Sequence, residues 1–199
     1  SEEEILQLLR YLSLFSIQKN SLKNIKLGTE KSARIIFSLR KYLKTEIRGT
    51  PREINLIDLL ESSLSVYDNY IRGIVSIEKE YTVNPTLILV VDEVQQVFKN
   101  LIFNAIQAMY GSEKKILRIK LDSYIENQKS FIRIEFEDTG HGVSEDVVHK
   151  LFSPFLTTIS RGEGIGLGLH VSRTIIEQHG GGMEYKKGEV GSRFILKFS

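Results

Sequence analysis

Apolar residues recur at helical spacing from the start of the chain. Ile5, Leu8, Leu9, Leu12 and Phe15 share one face between Glu2 and Ile17, and acidic residues cluster at the front, where a helix dipole favours them. Leu22, Ile25, Thr29, Ser32, Ile36, Leu39 and Leu43 then alternate three and four apart. That is a coiled-coil seam interrupted by two small polar residues, and it predicts a second helix to about Thr45. Gly49-Thr50-Pro51 ends the pattern, because proline fixes its own backbone angle and disfavours helix in the residue before it. The expected division is therefore a helical segment over 1–50 and a main domain over 51–199. The helical segment packs either on the main domain or on a second copy of itself.

Beyond the break the period changes repeatedly. Glu53 to Leu56 reads as a short edge strand, and Leu56 to Tyr70 as a helix with Leu59, Leu60, Leu64 and Tyr67 inward. Gly73 to Tyr81 and Thr86 to Val91 read as strands. Asp92 to Met109 is a long helix with Val94, Val97, Leu101, Ala105 and Ala108 as its buried stripe. Lys115 to Glu126 and Phe131 to Asp138 alternate as a hairpin joined by Asn127-Gln128-Lys129. Ser144 to Lys150 predicts a short helix capped by Ser144, and Gly166 to Gln178 a longer one stopped by Gly180-Gly181-Gly182. Strands over Met183 to Lys187 and Ser192 to Phe198, with a Gly188/Gly191 turn, close the chain. Helices and mostly antiparallel strands are segregated, which predicts an α/β two-layer sandwich.

Composition narrows the chemistry. The chain has 199 residues, 41% of them apolar, enough for one substantial core. Lys+Arg 27 against Asp+Glu 25 gives a formal charge of +2, which advertises neither nucleic acid nor an anionic membrane. The absence of cysteine excludes disulfides, thiolate metal sites and thiol nucleophiles. No apolar run reaches the roughly 18 residues that span a bilayer, so the chain as given is expected to be soluble. The lack of cysteine is compatible with a cytoplasmic setting, alone or as the cytoplasmic part of a membrane-anchored sensor.

Three blocks carry candidate chemistry. Asn100 and Asn104 are one helical turn apart, so their amides point the same way, as ligands for a hard cation or as ordinary backbone partners. Asp138 ends a strand before Gly140 and Gly142, either an ordinary turn or a carboxylate at the mouth of a loop that a flat ligand can approach. Gly162, Gly164, Gly166 and Gly168 lead into a helix, either as a flexible loop or as an anion site made of backbone amides. The lysine of a P-loop and the spacing of a dinucleotide fingerprint are both missing.

In this order, with Leu151-Phe152-Ser153-Pro154-Phe155 between the second and third, the blocks resemble the N, D, F and G boxes of sensor histidine kinases. The resemblance implies the Bergerat-type ATP-binding fold shared with type II topoisomerases and mismatch-repair ATPases. It implies ATP and Mg²⁺ as cofactors, with Asn100 and Asn104 as metal-binding and catalytic residues and Asp138 on the adenine amine. Gly140 and Gly142 make room for the purine. Phe152 and Phe155 dock a mobile lid that carries Thr158 and Arg161. Gly162, Gly164, Ile165, Gly166, Leu167 and Gly168 surround the phosphates. Phe152 and Phe155 also fit as plain core residues, and Arg161 as a solvated loop residue.

Related ATPases that hydrolyse ATP carry glutamate where Asn100 stands, so slow hydrolysis is expected. Asn-Ala-Ile-Gln-Ala-Met, with Gln107 where many relatives have lysine, is similar to the nitrogen-regulation branch. The implied partners are a response-regulator receiver domain and a second copy joined through the N-terminal helices. The four histidines, at 141, 149, 170 and 179, lie outside any acceptor motif on those helices. The phosphoacceptor is therefore expected elsewhere, and self-labelling by this chain is expected to be poor. Two alternatives stay open: a non-catalytic nucleotide-binding signalling module, and a nucleotide-clamp ATPase.

Overall fold

The computed structural model describes residues 49–156 and 166–199. The two helices predicted within 1–50 lie outside the described residues, as does the segment that holds Thr158, Arg161, Gly162, Gly164 and Ile165.

Strand β1 (Arg52–Asn55) pairs antiparallel with β3 (Thr86–Leu89) in a small sheet of two strands. Asn55 ends β1 and caps helix α1 (Leu56–Ser65), its Oδ1 accepting from the N–H groups of Ile57 and Asp58 at 2.9 and 3.2 Å. The helix expected to reach Tyr70 stops at Ser65. Hydroxyls of Ser62 and Ser63 donate to the Leu59 carbonyl and that of Ser65 to the Ser62 carbonyl, which weakens the last turn. A separate single turn, α2 (Asp68–Ile71), follows. Tyr67, expected inward, is half-buried and donates its hydroxyl to the Lys99 carbonyl at 3.1 Å.

The main sheet has the order β2-β4-β5-β7-β6, formed by β2 (Ser76–Tyr81), β4 (Ile116–Glu126), β5 (Lys129–Asp138), β7 (Ser192–Phe198) and β6 (Gly182–Lys187). Strand β2 runs parallel to β4, and the other pairings are antiparallel. The β4–β5 turn is one residue shorter than expected. Asn127 and Gln128 both have positive φ, 49° and 64°, as a two-residue turn matched to strand twist requires. β2 starts later than Gly73 because the N–H groups of Ile74 and Val75 fold back onto the Ile71 carbonyl.

Alternation sorts the faces of this sheet. Leu117, Ile119 and Leu121 of β4 are fully buried, while Arg118, Lys120 and Asp122 point the other way. On that outer face Arg118 bridges Glu78 and Glu137 at 3.0 and 3.2 Å, and Arg133 holds Asp122 at 2.6 Å. The inner face packs against helices α3 (Val91–Ala108) and α5 (Gly168–Gln178), and the chain is the two-layer sandwich expected.

α3 is the central helix. Val94, Val97, Phe98, Leu101, Ile102 and Ala105 are buried, and the Phe98 ring lies 5.8 Å from that of Phe136. Ala108, expected at the end of the stripe, is only half-buried and lies against the loop after β5. The remaining helix, α4 (Glu145–Val148), is shorter than its expected range, and Ser144 stands at its N-cap position without a side-chain capping bond.

Candidate functional site

α3 brings two of the three sequence blocks together by touching each at a different turn. Asn100, Asn104 and Ala108 are four residues apart, so they line one side of the helix over about 12 Å. Midway along α3 Asn100 meets α5: its Nδ2 donates to the Ser172 hydroxyl at 3.0 Å. A Cβ on Gly168 would lie 2.5 Å from Asn100 Oδ1, so any side chain there would push the amide aside. At the last turn Ala108 meets the loop after β5. The His141 N–H donates to the Ala108 carbonyl at 3.2 Å, and a Cβ on Gly140 would lie 2.5 Å from the Ala108 carbonyl carbon. Asn104, half-buried, stands on the turn between these contacts.

Asp138 is 3% exposed at the end of β5. Its Oδ1 accepts from the N–H groups of Gly140 and Ser192, at 2.8 and 3.4 Å. Among the described residues no group donates to Oδ2. Burial pushes this carboxyl above the usual aspartate range, although the two backbone N–H groups and His141 pull the other way. Gly191 of the β6–β7 turn packs directly on Asp138, where any side chain would collide with the carboxylate. That turn is fixed from outside by Glu137, whose Oε1 accepts from the Glu189 N–H at 3.1 Å and from Arg193 at 2.9 Å. Burial alone would raise Glu137, but Arg193, the Glu189 N–H and Arg118 outweigh it and hold the carboxyl below its usual range.

The helix expected from Gly166 begins at Gly168, because Gly166 has φ of +70° and lies against the backbone of Phe155 and Leu156. Leu167 buries its side chain in the core, so what it can offer a ligand is backbone. Gly142, at φ +70°, faces Gly191.

The two phenylalanines behave differently. Phe152 packs against the core, with the Arg173 guanidinium 4.8 Å over its ring and its carbonyl 3.0 Å from His170 Nδ1. Phe155, expected to dock beside it, is 59% exposed and has φ of +66°. The left-handed backbone there accommodates Gly166 and turns the ring outward.

Thr139, Ser172, Gly191 and Ser192 were not among the expected site residues. Thr139 Oγ1 accepts from the Ile116 N–H at 2.9 Å and donates to the Lys114 carbonyl at 2.8 Å, tying the loop after β5 to the start of β4. The available signal for Ser172 was a polar residue among Val171, Ile175 and Ile176 on the buried side of α5. Gly191 and Ser192 gave none, since their approach to Asp138 depends on strand register. Among the described residues no group of three or more His, Asp or Glu side chains could hold a metal ion.

Residues 90–199, which include every contact of this site, match the histidine kinase-, DNA gyrase B- and HSP90-like ATPase family. The chain belongs to that family. Among curated proteins it is similar to the sensor protein TdiS of Thauera aromatica, 37% identical over 103 residues, which are 51% of this chain and 18% of that protein. It is also similar to the sensor histidine kinase ZraS of Escherichia coli, 36% identical over 124 residues, 60% of this chain and 25% of that one. It thus spans less than a third of these relatives. Among solved structures, the catalytic domain of histidine kinase ThkA in a nucleotide-free form is 29% identical with a TM-score of 0.65, covering 75% of this chain and 95% of that domain. The fold is that of a sensor histidine kinase ATP-binding domain.

Proposed function

We propose that this chain passes the γ-phosphoryl of Mg²⁺-ATP to a histidine side chain, from which an aspartate of a response-regulator receiver domain takes it. The observation that carries the reading is the line of contacts along α3, which sets Asn100 against α5 and Ala108 against the Asp138 loop with Asn104 between.

The residues fit an adenine nucleotide. Asp138 Oδ2 faces an incoming donor such as the adenine amine, while the two bonds on Oδ1 hold the carboxylate still. Gly140 and Gly142 let the loop after β5 close against Ala108 and Gly191, which fixes the edge that a flat base would meet. Gly166 and Gly168 lead into the start of an eleven-residue helix, whose dipole favours phosphate there. The residues also fit Mg²⁺. Two amide oxygens without a carboxylate cage suit a cation that keeps waters and shares phosphate oxygens. When bound, Mg²⁺ supplies neutralisation of phosphate charge.

The chain's own contribution is then orientation of the nucleotide. Position 100 carries an amide whose Nδ2 is engaged with Ser172, so it offers no base to activate water. This favours an acceptor histidine over hydrolysis. Thr158 and Arg161 are assigned to a lid over the phosphates, and the 1–50 helices to a dimer seam. Histidine kinase ThkA has been solved in complex with the response regulator protein TrrA, which supports a receiver domain as partner. No helix among the described residues is long and apolar enough to cross a membrane. A cytoplasmic location is part of the same proposal, since a receiver-domain partner would be met there.

The test is phosphotransfer from radiolabelled ATP to an added helical hairpin bearing an acceptor histidine. The wild-type chain labels the hairpin, and Asn104→Asp and Asp138→Ala do not. Undiminished labelling by either variant contradicts the assignment. Fast phosphate release without acceptor points to the clamp ATPase, and binding without transfer points to the signalling module.

A further inference from the structure

We infer that Ser172 is a positioning residue that holds the Asn100 amide with its oxygen towards the nucleotide; the inference rests on the Mg²⁺-ATP reading above. An asparagine amide has one oxygen and one NH₂, nearly identical in shape, and only the oxygen can serve a cation. Ser172 is 2% exposed and accepts from Asn100 Nδ2 at 3.0 Å. A Cβ built on Gly168, one turn nearer the start of α5, would be 2.5 Å from Asn100 Oδ1 and 3.0 Å from Nδ2. The amide thus lies along the first turn of α5, nitrogen towards Ser172 and oxygen towards the glycines that open the helix.

Without the hydroxyl partner nothing described here holds the amide with its oxygen towards the glycines. A reversed amide turns its NH₂ towards the metal and removes an oxygen ligand. Asp138 and its loop sit at the far end of α3, so the adenine contacts do not depend on Ser172.

The experiment is isothermal titration of the 199-residue chain with ATP, once in Mg²⁺ and once in EDTA, for wild type, Ser172→Ala and Ser172→Thr. In Ser172→Ala the affinity in EDTA stays at the wild-type value, while the increase produced by Mg²⁺ shrinks about five-fold, the size of one lost hydrogen bond. Ser172→Thr, which keeps the oxygen, restores that increase. Equal loss in both buffers makes Ser172 a general support of the pocket and overturns the inference, as does no change in either. If Ser172→Ala does not fold, the Thr variant decides, since a normal EDTA affinity with a lost Mg²⁺ increase contradicts the role assigned to the oxygen. Absence of ATP binding by the wild type overturns the nucleotide reading itself, and the inference with it.

Discussion

At the scale of single residues, Asp138 is held for binding at a cost to the empty protein. Its buried carboxyl titrates above the usual aspartate range, so the folded chain binds that proton more tightly than the unfolded chain does. Stability contributed by this group therefore rises as pH falls through the raised value, and the ionised form costs stability above it. Asp138→Asn keeps an oxygen for the Gly140 and Ser192 N–H groups and removes the buried charge. In urea denaturation without nucleotide the variant should match or exceed wild type at pH 7, with the difference shrinking on acidification. Its ATP affinity should fall at least about ten-fold, because an NH₂ now meets the adenine amine donor. Glu137 runs the opposite way: held below its usual range, it contributes stability above that range and loses it as pH falls through the folded value. The Asp138 block was legible in the sequence as a carboxylate before glycines. Its neighbours Gly191 and Ser192 were not, because a contact across 54 residues is set by the register of β5 on β7.

At the scale of elements, α3 was the most legible part of the chain, since a long buried stripe has few ways to pack. Its ends were less so. The Ala108 end is closed by Gly140, and Gly140→Ala drives a methyl into the Ala108 backbone. That overpacking should cost about 1–3 kcal/mol in chemical denaturation and weaken ATP binding together. The other end is tied by His179, which follows α5. Its Nδ1 is 2.8 Å from the Ile175 carbonyl, and its Nε2 accepts from the Val90 N–H at 3.1 Å. These two bonds require a neutral ring with its proton on Nδ1. His179→Ala leaves both backbone groups without the ring and should cost about 1–3 kcal/mol, measured by urea denaturation. The early end of α1 and the outward turn of Phe155 escaped sequence reading for a shared reason. Serine hydroxyls and a left-handed backbone act through local hydrogen bonding and sterics, which hydrophobic periodicity does not report.

At the scale of the whole molecule, the two faces of the main sheet have separate duties. The inner face buries α3 and α5, while the outer face is a lattice of paired charges, including Lys120 with Glu80 and Lys197 with Glu184. Surface pairs of this kind contribute little stability each, but they keep a broad sheet face solvated. The site therefore belongs to the helical layer and its loops, where segregated helices and glycine-rich connections had already pointed. Residue-resolved NMR of the isotopically labelled chain titrated with Mg²⁺-ATP tests this directly. The predicted result is saturable shifts at the side-chain amides of Asn100 and Asn104 and the backbone N–H groups of Gly140, Gly168 and Gly191, with one common affinity. Shifts confined to the outer sheet face, or separate affinities at Gly140 and Gly168, would contradict a single nucleotide site along α3.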